Sequence, residues 1–272
     1  MTEFISAIFE NTFLQNALIA AVLSSIACGI TGSFVVVKRI SYVGGGIAHA
    51  VMGGLGIAYF LNLNPLYGAL TFAIVAAGII AFVKLKLNNS EDTVISALWS
   101  IGMAVGIIFA YITPGYNVDL LSFLFGNILM VSSETIWFLI VLDLFIVASV
   151  FLFYRQLVYV CFDEEYATIR GINTELIYTL LLTLIALTVV ILVQSVGLIL
   201  VIALLTLPSA ISALFSRSIF RMILISIVLI LTFTLLGFFF AFNYNLPSGA
   251  TIILISGIGY ILALSYKKLS SN

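Results

Sequence analysis

The side chain most suited to bind a metal ion or transfer a proton in this sequence is its single histidine, His49. It lies in an apolar run over residues 40–57 that is rich in glycine. If the run is helical, three glycines share the side of the helix that carries the histidine: Gly45, Gly53 and Gly56. A second stripe of small residues adjoins it: Gly46, Ala50 and Gly54. Such stripes let helices approach closely inside a membrane. The sequence therefore predicts a buried imidazole, either hydrogen-bonded between helices or lining a path, where intramembrane ionisable groups usually lie.

A second ionisable residue, Asp143, lies about half way along the predicted membrane span 134–154. A charge at the centre of a span costs roughly 3 kcal/mol on insertion scales. We therefore expect Asp143 to be protonated, paired or turned toward a wet cavity. His49 has a similar depth in the second span, and one hypothesis is that the two side chains face one another or share a cavity. Together they would offer a nitrogen and an oxygen ligand to a metal ion.

The composition decides which solvent surrounds these residues. Of 272 residues, 63% are hydrophobic and 8% are charged, which is more apolar surface than a soluble protein of this length can bury. We predict an all-α, polytopic membrane protein with one domain over residues 1–272 and an embedded core over 12–266. The predicted spans are 13–37, 40–61, 65–83, 93–112, 134–154, 173–193, 195–215, 219–242 and 248–266. Only Gln194 and Ser195 separate the sixth span from the seventh, so eight spans remain an alternative.

The positive charges predict the orientation of these spans. With nine spans and an external N-terminus, all ten basic residues fall on the cytoplasmic side. They are Lys38, Arg39, Lys84, Lys86, Arg155, Arg170, Arg217, Arg221, Lys267 and Lys268. The outer side keeps only the acids Glu3, Glu10, Asp119 and Glu134. An entrance with acids and no bases favours cations, and no basic stripe suggests a nucleic acid partner.

The longest outer connection, residues 113–133, is mostly apolar but too short and broken to cross the bilayer. We predict a re-entrant or interfacial helix over Asp119–Met130. It could close an external gate, with Asp119, Phe123 and Phe125 as the gate residues. The alternative is a helix that rests on the lipid surface and has no moving part.

The most polar inner connection spans residues 155–175. Asp163, Glu164 and Glu165 can start a short helix, because acids suit the positive N-terminal end. Gly171 can end it. A short helix exposed to the cytoplasm would be a docking site for another protein; the alternative is a solvated connector.

Four segments resemble the membrane subunits of ATP-driven importers for zinc, manganese and related divalent metals. They run through residues 36–50, 119–126, 163–171 and 196–210, and the resemblance covers about residues 12–266. It implies a homodimer in a prokaryotic cytoplasmic membrane, two separate ATPase subunits inside and an external metal-binding protein. Residues 161–172, including Arg170 and Gly171, resemble the coupling helix that docks into the ATPase. The chain has no G-x-x-x-x-G-K-[ST] phosphate-binding sequence, so we expect no enzyme activity of its own.

The histidine region departs from this family at one position. Family members often carry an aspartate four residues before the histidine, where this chain has Gly45. The leading expectation is an importer permease for zinc, with manganese or iron as alternatives, no permanently bound cofactor, and His49 and Asp143 as metal ligands. Two other interpretations stay open: a permease for a metal chelate such as a siderophore or cobalamin, and a secondary transporter with Asp143 and His49 as a proton relay.

Overall fold

The computed structural model describes residues 11–87, 91–113, 131–244 and 246–270. Within these ranges the chain is all-α and contains nine helices that are long and apolar enough to cross a membrane. They are α1 (Thr12–Lys38), α2 (Ser41–Phe60), α3 (Pro65–Phe82), α4 (Glu91–Ile112), α5 (Ser133–Phe162), α7 (Thr174–Ser195), α8 (Leu198–Phe215), α9 (Ile219–Tyr244) and α10 (Ser248–Ser270). A short helix, α6 (Glu164–Ile169), connects α5 to α7, and a π-helical turn, Val83–Leu87, extends α3. The prediction of an all-α polytopic protein is confirmed.

The break between α7 and α8 decides between eight and nine spans. The helix α7 ends at Ser195, and α8 begins at Leu198. Gly197 adopts φ 91°, a conformation that only glycine reaches without strain. The chain therefore turns back within two residues, and the nine-span prediction is confirmed for the described residues.

The fifth helix is longer than the sequence suggested. We expected its span to end near residue 154 and a polar loop to begin at 155, but the helix continues to Phe162 with a kink at Phe153. Its last turns keep an apolar face, because Leu157, Val160 and Cys161 are buried against the bundle. At about 1.5 Å per residue the helix is about 45 Å long, which exceeds the roughly 30 Å hydrocarbon core. Its C-terminal end thus extends beyond the membrane.

Small residues bring α2 very close to α4. A Cβ atom added to Gly102 of α4 would lie 2.5 Å from the Cα atom of Ala50 in α2. A Cβ atom added to Gly56 would lie 2.6 Å from the carbonyl oxygen of Gly106. Neither helix could carry larger side chains at these crossings. The predicted small-residue stripe on α2 is confirmed: Ala50 lies against Gly102 of α4, and Gly54 lies against Gly68 of α3.

Buried hydroxyl groups join the central helices. The helix α1 packs against α5, α7, α8 and α9. The hydroxyl groups of Ser24 in α1 and Ser195 in α7 are 2.8 Å apart, and those of Ser212 in α8 and Ser226 in α9 are 2.7 Å apart. Such hydrogen bonds hold helices together where the surrounding lipid supplies no hydrophobic driving force between them.

The basic segments meet at one end of the bundle. Lys38, at the end of α1, forms an ion pair with Glu164 of α6. Lys86, after α3, lies 3.5 Å from Glu175 at the start of α7. Lys267, near the end of α10, donates to the carbonyl oxygen of Leu214 in α8. The first two contacts bring the first and second inner loops to the third, and the last brings the C-terminal segment to the end of α8, as the charge-based topology requires.

Candidate functional site

The imidazole of His49 is held by its own helix and by α4. Its Nδ1 lies 2.8 Å from the carbonyl oxygen of Gly45. Because a carbonyl can only accept, Nδ1 donates the hydrogen bond and Nε2 carries the free lone pair. The indole of Trp99 in α4 stacks on the ring, with 3.7 Å between the centroids and 16° between the planes. This arrangement fixes the ring with Nε2 as the atom available to a cation.

The histidine ring is half-buried rather than enclosed. Trp99 covers one face and is itself 39% exposed. The residues one turn before and after the histidine, Gly45 and Gly53, add no side chain that could cover the ring edge. Within the described part of the chain, Nε2 makes no hydrogen bond. The ring is therefore both held in place and accessible, which is what a ligand for a passing cation requires.

The space beside Gly45 is taken by two apolar side chains. A Cβ atom at this position would lie 2.8 Å from Cδ1 of Ile202 in α8 and 3.6 Å from Cζ3 of Trp99. The tryptophan was missed in the sequence because residue 99 stands in an ordinary apolar run. The spacing of residues along α4 does not indicate which other helix packs against it. A search for aromatic residues in neighbouring spans would have found Trp99 only as one of many candidates.

Asp143 lies in different surroundings. It is 4% exposed, and its Oδ1 atom has no hydrogen-bond partner among the described residues. Its helix, α5, packs against α1 and α7, and Cys28 of α1 lies near the carboxyl group. The helix of His49 packs mainly against α3, α4, α7 and α8. The pairing of His49 with Asp143 therefore stays a prediction. The described ranges contain no cluster of three His, Cys, Asp or Glu side chains that could hold a metal ion.

A polar cavity of about 450 Å³ opens at the outer end of the bundle. Its lining includes Tyr59, Tyr67, Glu134 and Gln194, from the ends of α2, α3, α5 and α7. Glu134 is one of the acids that the sequence assigned to the outer side, so the cavity offers a negative charge to an approaching cation. The predicted gate residues Asp119, Phe123 and Phe125 lie outside the described residues.

The predicted short helix after α5 is confirmed as α6. The side chain of Asp163 accepts a hydrogen bond of 2.9 Å from the backbone N–H of Tyr166 and so caps the helix. Glu164 and Glu165 occupy the first turn. The helix ends at Ile169, and Gly171 follows with φ 77°. Arg170 donates from Nε to the hydroxyl group of Tyr166 at 2.9 Å, which braces the turn.

The exposed surface of α6 combines charge with apolar area. Ile169 is 84% exposed, and Phe162, one residue before the cap, is 69% exposed. Only Ala167 of the six helical residues is buried. Large apolar side chains so exposed beyond the end of a membrane span suit contact with another protein.

Comparisons with known proteins match nearly the whole chain. The family described as the ABC 3 transport family matches residues 10–267. A "probable metal transport system membrane protein" of Chlamydia trachomatis is 42% identical over 94% of this chain and 89% of its own length. The "manganese import system permease protein" of Streptococcus gordonii is 33% identical over 96% of this chain and 94% of its own. Among solved structures, PsaBC from Streptococcus pneumoniae in complex with Fab matches with a TM-score of 0.87 and 33% identity, covering 96% of this chain and 94% of that one.

Proposed function

The chain belongs to the ABC 3 transport family, and from this premise we propose that it is the permease subunit of an ATP-driven importer that carries a divalent metal ion. It is a multi-pass protein of a bacterial cell membrane. The chain contains no phosphate-binding loop sequence, so a separate subunit hydrolyses the ATP. The proposal depends above all on one observation: a half-buried imidazole, His49, about half way along a membrane helix, whose Nε2 makes no hydrogen bond among the described residues.

Manganese is the metal that we propose, in place of the zinc expected from the sequence. One relative is named for manganese import and another for metal transport. Manganese accepts nitrogen, oxygen and water ligands, so a cation at His49 can keep part of its hydration shell. One imidazole per protomer makes a weak site, and a conducting site has to release what it binds. Asp143 is proposed as a second polar position, since its buried Oδ1 has no hydrogen-bond partner among the described residues and could bind a cation that has lost its water.

The partners follow from the two ends of the molecule. We propose a homodimer, which doubles the number of imidazole ligands along the path. At the cytoplasmic end α6 would dock into an ATPase subunit through Ile169 and the acids of its first turn. At the outer end the cavity that contains Glu134 would receive the cation from an external metal-binding protein.

Uptake of radiolabelled manganese tests the transport proposal. The chain, its ATPase and its external metal-binding protein are expressed in a bacterial strain that lacks manganese importers, and uptake is measured at limiting metal. His49→Ala should lower uptake several-fold at an equal level of protein in the membrane, because the nitrogen ligand is lost. Unchanged uptake would remove His49 from the mechanism. Uptake of zinc but not manganese by the unmodified chain would overturn the choice of metal.

Co-purification with the ATPase tests the docking proposal. Ile169→Asp places a charge in the proposed contact and should abolish co-purification of the ATPase. The matched control is Leu269→Asp, because Leu269 is also an exposed apolar residue, 77% accessible, at the same end of the bundle. Retained association in the Ile169 variant, or equal loss in both variants, would contradict a specific docking role for α6.

A further inference from the structure

Trp99 is the aromatic partner of the histidine, and the position of its ring suggests more than packing. We propose that Trp99 is a positioning residue for the transported cation: its indole face supports the positive charge that a metal ion brings to the His49 imidazole. The proposal rests on the proposed function and extends it to a residue for which no role has been assigned. It concerns how the site binds a cation without a carboxylate beside the histidine.

The geometry indicates different roles for the imidazole of His49 and the indole of Trp99. The backbone carbonyl of Gly45 holds Nδ1 at 2.8 Å and leaves Nε2 as the ligand atom. The indole lies parallel to the imidazole within 16°, with centroids 3.7 Å apart. A cation bound at Nε2 lies at the edge of the imidazole and draws positive charge onto the whole ring. That charge then faces the indole, whose π face carries the negative end of its quadrupole.

The described helices that pack around His49 carry no acidic side chain beside its ring. The sequences of α2, α3 and α8 contain no Asp or Glu. The acids of α4 are Glu91 and Asp92 in its first turn, about two turns before Trp99. Glu175 lies in the first turn of α7, at the inner end. Along the helices packed around His49, the indole of Trp99 is thus the electron-rich side chain that contacts the imidazole.

Gly45 shows why the indole can lie where it does. A Cβ atom at residue 45 would be 3.6 Å from Cζ3 of the Trp99 ring and 2.8 Å from Cδ1 of Ile202. At 3.6 Å this Cβ would only touch the indole, whereas at 2.8 Å it would overlap Ile202. With glycine at residue 45 nothing stands between the two rings and Ile202, and the neutral π face of Trp99 takes the place of a formal charge. We expect this exchange to give weaker binding and faster release than a carboxylate would, because the full charge pairing is missing.

The fluorescence of Trp99 reports on this contact directly. The chain has two tryptophans, and the other, Trp137, is 71% exposed on α5. Trp137→Phe therefore leaves Trp99 as the only indole. In the purified full-length chain in detergent micelles, Mn²⁺ should quench this emission saturably, whereas Mg²⁺ at equal ionic strength should not. The quenching should disappear when His49→Gln is added. The reciprocal variant Trp99→Phe, which keeps Trp137, should show no saturable change.

Transport kinetics separate a positioning role from simple packing. Trp99→Leu keeps an apolar side chain but removes the π face, and should raise the KM for manganese uptake by about tenfold with little change in the maximal rate. Trp99→Phe keeps a smaller π face and should raise it by about threefold. Equal KM values for Leu, Phe and Trp at position 99 would overturn the proposal.

The two measurements also distinguish failure of this inference from failure of the proposed function. If the unmodified chain transports no manganese but its Trp99 emission is quenched through His49, the metal contact stands and the importer assignment falls. If manganese uptake is normal but the Trp99-only protein shows no quenching, or quenching that survives His49→Gln, the role of Trp99 is refuted and the importer assignment stands.

Discussion

The role proposed for His49 depends on neighbours that carry no charge. A backbone carbonyl selects the tautomer, an indole fixes the ring plane, and two glycines leave the ring edge open. None of these groups binds a metal ion strongly by itself. Preorganisation of a single neutral ligand lowers the cost of capturing a cation without making the captured state too stable to release.

Restoring a carboxylate beside the histidine should therefore tighten binding and slow transport. We predict that Gly45→Asp combined with Ile202→Val lowers the KM for manganese uptake by about tenfold, because an oxygen ligand and a negative charge join Nε2. The second change removes Cδ1 of Ile202, which lies 2.8 Å from the added Cβ position. The maximal rate should fall, since release becomes harder. Ile202→Val alone is the control and should change neither parameter; a double variant with unchanged KM would contradict the prediction.

His49 and Asp143 have separate surroundings, and this leads to a second prediction about single residues. Their helices share no extensive contact, so the effects of His49→Ala and Asp143→Asn on the logarithm of manganese uptake should add in the double variant. Uptake at limiting manganese, corrected for the amount of each protein in the membrane, gives the measurement. A double variant no worse than the poorer single variant would show that the two side chains act on one shared step, as the sequence first suggested.

At the scale of elements, Lys38 links the docking helix to the helix of the histidine. Its Nζ donates to the carboxylate of Glu164 and to the carbonyl oxygen of Val160, the latter at 2.9 Å. Lys38 ends α1, and α2 begins three residues later at Ser41. Displacement of α6 by an ATPase would thus pull on the connection that leads into α2.

We predict that reversing this ion pair uncouples ATP hydrolysis from transport. Lys38→Glu should lower manganese uptake several-fold while the ATPase still co-purifies, and adding Glu164→Lys should restore part of it by re-forming the pair. Restoration should be partial because the hydrogen bond to Val160 is not recovered and α6 loses one of the two acids of its first turn. The matched control is the pair Lys86–Glu175, 3.5 Å apart with both side chains more than half exposed, whose reversal should have little effect. Equal losses at both pairs would argue against a specific link.

The crossing of α2 and α4 leads to a prediction about stability. Gly102→Ala places a Cβ atom 2.5 Å from the Cα atom of Ala50, so the helices must separate, at a cost of about 1–3 kcal/mol. Gly78→Ala meets nothing within 4 Å and should be neutral or slightly stabilising through helix propensity. Thermal unfolding in detergent should show a lower midpoint for the first variant only. A Gly102 variant as stable as the unmodified protein would contradict the close crossing.

At the scale of the whole molecule, the membrane explains which features could be predicted from the sequence. Backbone groups in lipid must be paired within the helix, so apolar length and positive charge predict spans and orientation well. The extension of α5 to Phe162 could not be predicted, because Arg155 and Gln156 resemble the start of a loop. The stack of Trp99 on His49 depends on which helices are neighbours, and periodicity within a single helix carries no such information. The α6 helix was predicted because its cap, acids and final glycine are local signals.

The docking proposal depends on the orientation of the whole bundle, since α6 can meet an ATPase only from the cytoplasm. We predict that Leu63, 57% exposed between α2 and α3, lies outside, and that Ile169, on α6, lies inside. Single cysteines at these positions should react differently with a membrane-impermeant maleimide. Leu63→Cys should be labelled in intact cells, and Ile169→Cys only after permeabilisation.

The labelling measurement starts from a variant in which the two native cysteines are replaced by alanine. Cys28 and Cys161 are both free and buried, so their removal should leave the bundle intact, which retained manganese uptake would verify. Because Lys38 binds Glu164, the end that carries α6 is also the end that carries the basic residues of the first inner loop. Labelling of Ile169→Cys from outside would therefore mean that all nine membrane helices of the described residues run in the opposite direction. It would place the docking surface away from ATP, and the permease proposal would fail as a whole.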